Sequence, residues 1–218
     1  MSFDWTAIID ALPELLQGLE LTLLIAGAGL IGGTVLGVLT AVILNYGSWL
    51  LMAPAQAYIA LIRGTPIVVQ VMFVYFALPI MLGIRLGATN AAIITLIVNS
   101  GAYTAEIVRG ALDGVPAGLR EAGLAMGLSF RRVLTYVIAP IAFRRALPAM
   151  GNQVVAVVKD TSIFLVIGVG ELTRRGQEIM SGNFRAVEIW TAVALIYLVV
   201  ISLLAYSLRF IERRCRLP

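Results

Sequence analysis

Long apolar runs, separated by short clusters of charge, dominate this chain. Leu21 to Ile62 carries no charged residue, and neither do Gly64 to Ile84, Leu86 to Ala105 or Ile189 to Leu208. A helix needs about 20 apolar residues to cross the hydrocarbon core of a bilayer. The first run is long enough for one span, a turn at Asn45-Tyr46-Gly47-Ser48 and the start of a second span. That second span continues through Gly64 to Ile84, with Arg63 embedded in it and with Pro66 and Pro79 bracketing it. Leu86 to Ala105 predicts a third. Between Ala146 and Gly170 only Lys159 and Asp160 interrupt the pattern, which predicts a fourth over residues 146–166, opened by Pro148. Ile189 to Leu208 gives the last, ahead of a basic tail. Gly29, Gly33 and Gly37 fall four apart on the first span, so they share one helix face and permit close approach of a neighbour. The expectation is an all-α integral membrane protein of about five transmembrane helices, one domain over residues 1–218, with its ends on opposite sides.

Composition narrows the class without moving those boundaries. The chain is 60% hydrophobic and 13% charged, with a mean hydropathy of +0.96. A soluble domain carries about a quarter charged residues. There is no histidine, which removes the commonest general base and the commonest zinc ligand, and the single Cys215 allows no internal disulfide. The basic residues lie between apolar runs rather than clustered on a soluble face, which excludes a nucleic-acid footprint. Lys159 is the sole lysine and follows VAVV, so no phosphate-binding G-x-x-x-x-G-K-[ST] loop exists here.

The arginines set the expected orientation. With the N-terminus outside, the inner segments hold Arg109, Arg120, Arg131, Arg132, Arg144, Arg145, Arg209, Arg213, Arg214 and Arg216. The outer segments hold Arg85, Arg174, Arg175 and Arg185. Ten against four favours N-outside, C-inside. The leader contains Asp4, Asp10, Glu14 and Glu20 and no basic residue, unlike a cleavable signal peptide.

Charges at membrane depth are the sharper signal. Lys159 and Asp160 have apolar residues on both sides, and ions buried in hydrocarbon must pair or face water. Adjacent helical residues diverge by about 100°, so one can face a cavity while the other reaches a neighbouring helix. Thr161 and Ser162 add hydroxyls for a polar solute or for the helix end. The plainer alternative makes both charges a solvated span mouth. Glu106 and Arg109, three apart, are expected to form a local ion pair, whereas Arg63 either snorkels or holds a neighbouring carboxylate.

The segment from Gly114 to Pro140 is the polar exception. Gly114, Pro116 and Gly118 end the third helix after Asp113, and Leu119 to Leu128 predicts a short helix. Arg120 and Glu121 would form its polar side, Leu124 and Leu128 its apolar side, with Ala122, Gly123, Ala125 and Gly127 keeping it thin. Two occupants fit it equally: a cleft in a partner protein, or an anionic lipid surface.

This segment resembles the EAA loop of bacterial ABC importer permeases. Glu121, Ala122, Gly127 and Pro140 match at the proper spacing, while Gly123, Val137 and Ala139 replace the usual Ala, Ile and Leu. The stretches Ile62–Pro79, Asn99–Ala111, Gly151–Ser162 and Val166–Trp190 are similar to polar amino-acid permeases, above all those of the glutamine type. The resemblance implies a type I ABC importer permease fold in the bacterial inner membrane, with a periplasmic N-terminus and a cytoplasmic C-terminus. It implies ATPase docking through Arg120, Glu121, Ala122, Gly123 and Gly127, on a coupling segment over 114–140. A solute path at Lys159, Asp160 and Thr161 follows as the companion expectation. The implied partners are a second permease copy, two ATPase subunits that bind ATP and magnesium, a periplasmic amino-acid-binding protein and membrane lipid. The chain itself would need no cofactor and catalyse nothing. Import of another polar amino acid, an intramembrane hydrolase built on Asp160 or Ser162, and a passive channel stand as alternatives.

Overall fold

Asp4 starts the first helix by accepting hydrogen bonds from the Thr6 amide (3.0 Å) and hydroxyl (2.6 Å), a side-chain N-cap. These bonds hold the Asp4 carboxyl below its ordinary value. The computed structural model describes residues 4–215, so Arg216 of the orientation count lies outside the described residues. Helix α1 then runs from Trp5 to Tyr46, 42 residues, absorbing Pro13 and the acidic leader. At about 1.5 Å per residue it is about 63 Å long, roughly twice the hydrocarbon thickness of a bilayer.

Helix α2 (Trp49–Arg63) and the stretch Ile67–Leu82, which opens with helix α3 (Ile67–Met72), meet at a bend of 106°, a sharp break within the second span expected from the sequence. Gly64, Thr65 and Pro66 make the corner, and Pro66 supplies no amide hydrogen to continue the helix. The freed carbonyls are answered locally. The Thr65 hydroxyl donates to Leu61 O (2.9 Å), and the Gln70 amide donates to Ile62 O (2.7 Å) and Thr65 O (3.0 Å). Past α3 the chain widens into a π-helical turn, Phe73–Ala77, and closes with α4 (Leu78–Leu82). Pro79 therefore lies inside the second half of the broken span, and Gly83, with φ of 66°, ends it.

Helix α5 (Ala88–Asp113) lies alongside α1 in parallel, and the small residues explain the closeness. A Cβ on Gly29 would meet the Leu96 side chain at 2.6 Å, one on Gly33 the Ser100 hydroxyl, and one on Gly37 Thr104 at 2.6 Å. The Ser100 hydroxyl donates across the seam to Gly29 O (2.9 Å). The glycine stripe is thus an internal packing face. At its far end Asn45 donates to Asp113 (3.2 Å), so α1 and α5 finish together.

After α5 come α6 (Ala117–Ala125) and α7 (Phe130–Val133), a π-helical turn at Leu134–Ile138, and α8 (Ala139–Asp160). Pro148 sits within α8 and does not open it. A 3-10 helix, Thr161–Ile167, extends the run, which spans Phe130–Ile167 as one candidate crossing. Helix α9 (Leu172–Asn183) folds back on the early turns of α1, with Gly18 against the Leu172 backbone, before α10 (Ala186–Cys215) returns. Among the described residues, four helical segments are long and apolar enough to cross a membrane, and the bent pair taken as one span makes five. Ile25, Val71, Leu96, Val157, Val158 and Phe164 form a core where α1, α3, α5, α8 and the 3-10 helix meet.

Candidate functional site

Two regions concentrate the residues singled out by the sequence, at different levels of the bundle. At the end where α1 and α5 terminate, α6 stands off the body of the protein. Gly123 is its one buried residue, seated so closely that a Cβ would come within 2.9 Å of Val133. Arg120, Glu121 and Ala122 are exposed, and so is Gly127, whose φ of 79° turns the chain toward α7. The expected apolar side is not turned inward: Leu124 is 41% exposed and Leu128 only partly covered. A glycine is needed on the inner face because the seat on Val133 is so tight, which pushes the leucine outward. Leu119, Leu124 and Met126 thus share the outer surface with Arg120 and Glu121, a mixture suited to a protein cleft.

Behind α6 a cleft of about 400 Å³ opens between the ends of α1 and α5, lined by Asn45, Tyr46, Arg109, Asp113 and Arg120. Further up α5, Glu106 accepts from Arg109 (3.0 Å) and from Arg63 (3.0 Å). The local pair is therefore present, and the corner arginine holds a carboxylate rather than snorkelling. The Tyr103 ring lies 5.6 Å from the Arg63 guanidinium carbon, and Arg109 comes within 3.9 Å of Asp113.

The second region is the end of α8, well inside the Phe130–Ile167 crossing. Lys159 is exposed and Asp160 half-buried, and neither makes an ion pair among the described residues. Their neighbours Val157 and Val158 are buried in the core, so the two charges directly adjoin it. Arg145, Ala149, Asn152 and Lys159 are all exposed along α8, a polar and small-residue surface unlike the large aliphatic groups that lipid favours. Thr161 is fully buried with its hydroxyl donated to Val158 O (2.7 Å), so it secures the helix end and does not open toward solute. Ser162 likewise donates to Lys159 O (2.7 Å).

Two polar clusters escaped sequence reading. Asn99 on α5, buried, donates to Gln70 Oε1 (2.9 Å) and so fastens the amide that fills the α2–α3 corner. Glu171, fully buried, caps α9 by accepting from the Thr173 amide (2.8 Å) and the Arg174 amide (2.7 Å), and Tyr197 donates to it (3.2 Å). Burial pushes the Glu171 carboxyl above its ordinary value, against the opposing pull of those hydrogen bonds. Glu is not among the favoured N-caps, which left no signal to find it.

Comparison with known proteins identifies relatives over the whole length of the chain. The family profile described as binding-protein-dependent transport system inner membrane component matches residues 8–217. The chain is 52% identical over 218 residues to the glutamine transport system permease protein GlnP of Escherichia coli (strain K12), covering all of both chains. It is 32% identical over 218 residues to the arginine transport system permease protein ArtQ of Bacillus subtilis (strain 168), covering 99% of each. Among solved structures, that of an amino acid ABC transporter with histidines superimposes with a TM-score of 0.91 at 32% identity, over 98% of this chain and 100% of the other.

Proposed function

Because the chain belongs to the binding-protein-dependent transport system inner membrane components, we propose that it carries L-glutamine across the membrane by alternating access. It is a multi-pass permease subunit of an ABC amino-acid importer, and ATP is handled by a partner ATPase. Glutamine is the substrate best supported, through the full-length 52% identity to a glutamine permease. In this reading the N-terminus is periplasmic and the C-terminus cytoplasmic, in keeping with the arginine distribution. Two copies of the chain pair, each a single transmembrane domain with residues 114–140 as its coupling segment.

The observation that carries the mechanism is the exposed seat of α6. A helix whose one buried residue is Gly123 offers nearly all of its surface to a partner. Arg120, Glu121, Ala122, Gly123 and Gly127 then form the knob that an ATPase subunit grips, Gly123 by keeping it close and Gly127 by turning the chain. Movement of the ATPase pair passes through α6 into the spans. Lys159 and Asp160, unpaired beside the core, supply opposite charges along the path of a zwitterion, and Thr161 fixes the helix end that presents them.

The test is reconstitution of permease, ATPase and binding protein in proteoliposomes. L-glutamine should stimulate ATP hydrolysis and accumulate inside only with ATP. Glu121→Lys should break that link, leaving little uptake. Normal stimulated uptake by the variant rejects docking through α6. Conduction without nucleotide, or turnover of a membrane substrate by the isolated chain, would point instead to a channel or a hydrolase, and stimulation by a different amino acid would reassign the substrate.

A further inference from the structure

Beside its packing on α7 and on the turn Leu134–Ile138, helix α6 makes two close side-chain contacts one helical turn apart. The first is Gly123 on Val133, a close and nearly featureless contact that acts as a pivot. The second runs through an aromatic residue outside α6. The Arg120 guanidinium carbon sits 5.8 Å from the centre of the Phe130 ring, and Phe130 meets Tyr46 edge-on at 5.5 Å with 66° between the ring planes. Tyr46 is the last residue of α1, and Phe130 is the first of α7. The stack therefore joins α6 to a helix with which it has no covalent junction. That helix is the long rod α1, held to α5 along Gly29, Gly33 and Gly37 and by Asn45 on Asp113.

The Gly123 seat and the turn Leu134–Ile138 belong to one continuous run that starts at α7, so without a further contact a push on α6 would move that run and reach α1 only indirectly. The Arg120–Phe130–Tyr46 stack supplies a link to α1, and a cation against a ring face with a second ring against its edge has directional preference that an aliphatic contact lacks. We propose that Phe130 is the positioning residue that keys α6 to the end of α1, so that displacement of α6 moves the α1–α5 pair. This rests on the reading that α6 is where the ATPase docks.

The assembled transporter in proteoliposomes tests it through three readouts: ATPase retained on purification, ATP hydrolysis, and L-glutamine accumulated per ATP hydrolysed. Phe130→Ala should keep the ATPase bound and hydrolysing while glutamine per ATP falls by about five- to tenfold, the low end of ordinary coupling factors. Phe130→Tyr, which keeps a ring for Arg120, should restore most of the ratio, whereas Phe130→Leu, which keeps the bulk alone, should not. Tyr46→Ala should lower the same ratio and add little to Phe130→Ala. Unchanged glutamine per ATP in Phe130→Ala overturns the proposal, as does rescue by Leu equal to that by Tyr, or loss of the ATPase from the complex. The docking reading fails separately: Glu121→Lys would then leave stimulated uptake normal whatever Phe130 does.

Discussion

Replacing Gly37 by alanine should destabilise the permease, while the same change at Gly27, on the same helix, should not. A Cβ at position 37 would lie 2.6 Å from Thr104 Cβ, 2.7 Å from the Gly101 carbonyl oxygen and 2.8 Å from Thr104 Cγ2. A backbone oxygen cannot turn aside, and a β-branched side chain has few rotamers to escape into. The helices must separate, and overpacking of this kind costs about 1–3 kcal/mol. Alanine returns up to about 1 kcal/mol of helix propensity. With backbone among the obstacles the upper half of the overpacking range applies, leaving a net loss of about 2 kcal/mol. For a chain of this size, that corresponds to a fall in Tm of about 4–8 °C. Gly27 has nothing within 4 Å of the added carbon, so only the propensity gain remains. Thermal unfolding of the purified permease in detergent, followed by circular dichroism, separates the two. A second comparison isolates the seam: in Gly33→Ala the new Cβ collides with the Ser100 hydroxyl, and Ser100→Ala removes that oxygen. The double variant should therefore lose less than the sum of the single losses. Equal Tm for Gly37→Ala and Gly27→Ala, or strict additivity at positions 33 and 100, would refute the close-packed seam.

Three other changes follow from the polar groups. Asp160→Ala should reduce glutamine uptake in proteoliposomes while the complex still assembles; unchanged uptake kinetics would return Asp160 to a purely structural role. Glu106→Gln removes the charge that the partly exposed Arg63 and Arg109 share, and should cost up to about 1 kcal/mol of stability, read as a lower Tm in the same detergent assay. Glu171 gives a pH dependence. Its carboxyl is held above the ordinary value by burial, so the folded protein binds that proton more tightly than the unfolded chain does. The resulting stability is complete below the ordinary carboxylate value and is lost as pH rises through the raised one. Glu171→Gln should flatten that part of a Tm–pH profile, at the cost of one capping acceptor; a wild-type slope in the variant would exclude Glu171 as its source.

The crossings were legible because lipid demands long uncharged runs, and the glycine stripe because four-residue spacing repeats on one helical face. What counting charges obscured was the start of α1. Ala11, Leu15, Gly18 and Thr22 are buried at helical spacing while Asp10, Glu14 and Glu20 are exposed between them with Ile9, Leu12 and Leu16, so the leader is a stretch of the same helix with one packed face. The α2–α3 corner was half visible in Pro66, but a proline equally permits a shallow kink. The 106° bend depends on Gln70 and Asn99, whose partnership spans 29 positions. At α6 the pattern of Arg120, Glu121 and Leu124 was read as two faces, and both proved to face outward. Inward room was set by Val133, a residue beyond the helix that no periodicity within it reveals.

The broken elements gather in one place. Ile67 and Val71 of α3, just past the α2–α3 corner, share a buried cluster with Val157, Val158, Phe164 and Ile167, which flank the change from α8 to the 3-10 helix. The unpaired Lys159 and Asp160 sit at that same change. By contrast, the α1–α5 seam runs without a helical break from Gly29 to Gly37 and is closed by glycine contacts too tight to slide. Irregular backbone at membrane depth survives only when protein or water satisfies it. Here side chains do so at one break, Gln70 and Thr65, and Thr161 and Ser162 at the other. The Thr161 and Ser162 bonds are local and can reform after a change of angle, whereas Asn99 fastens the Gln70 corner to α5 and separating the α1–α5 seam would expose packed backbone. On the proposed coupling, the least costly rearrangement keeps α1, α5 and the corner that Asn99 holds as one body and turns at the end of α8, beside Lys159 and Asp160, and a push arriving through Tyr46 would be delivered to the body that stays rigid.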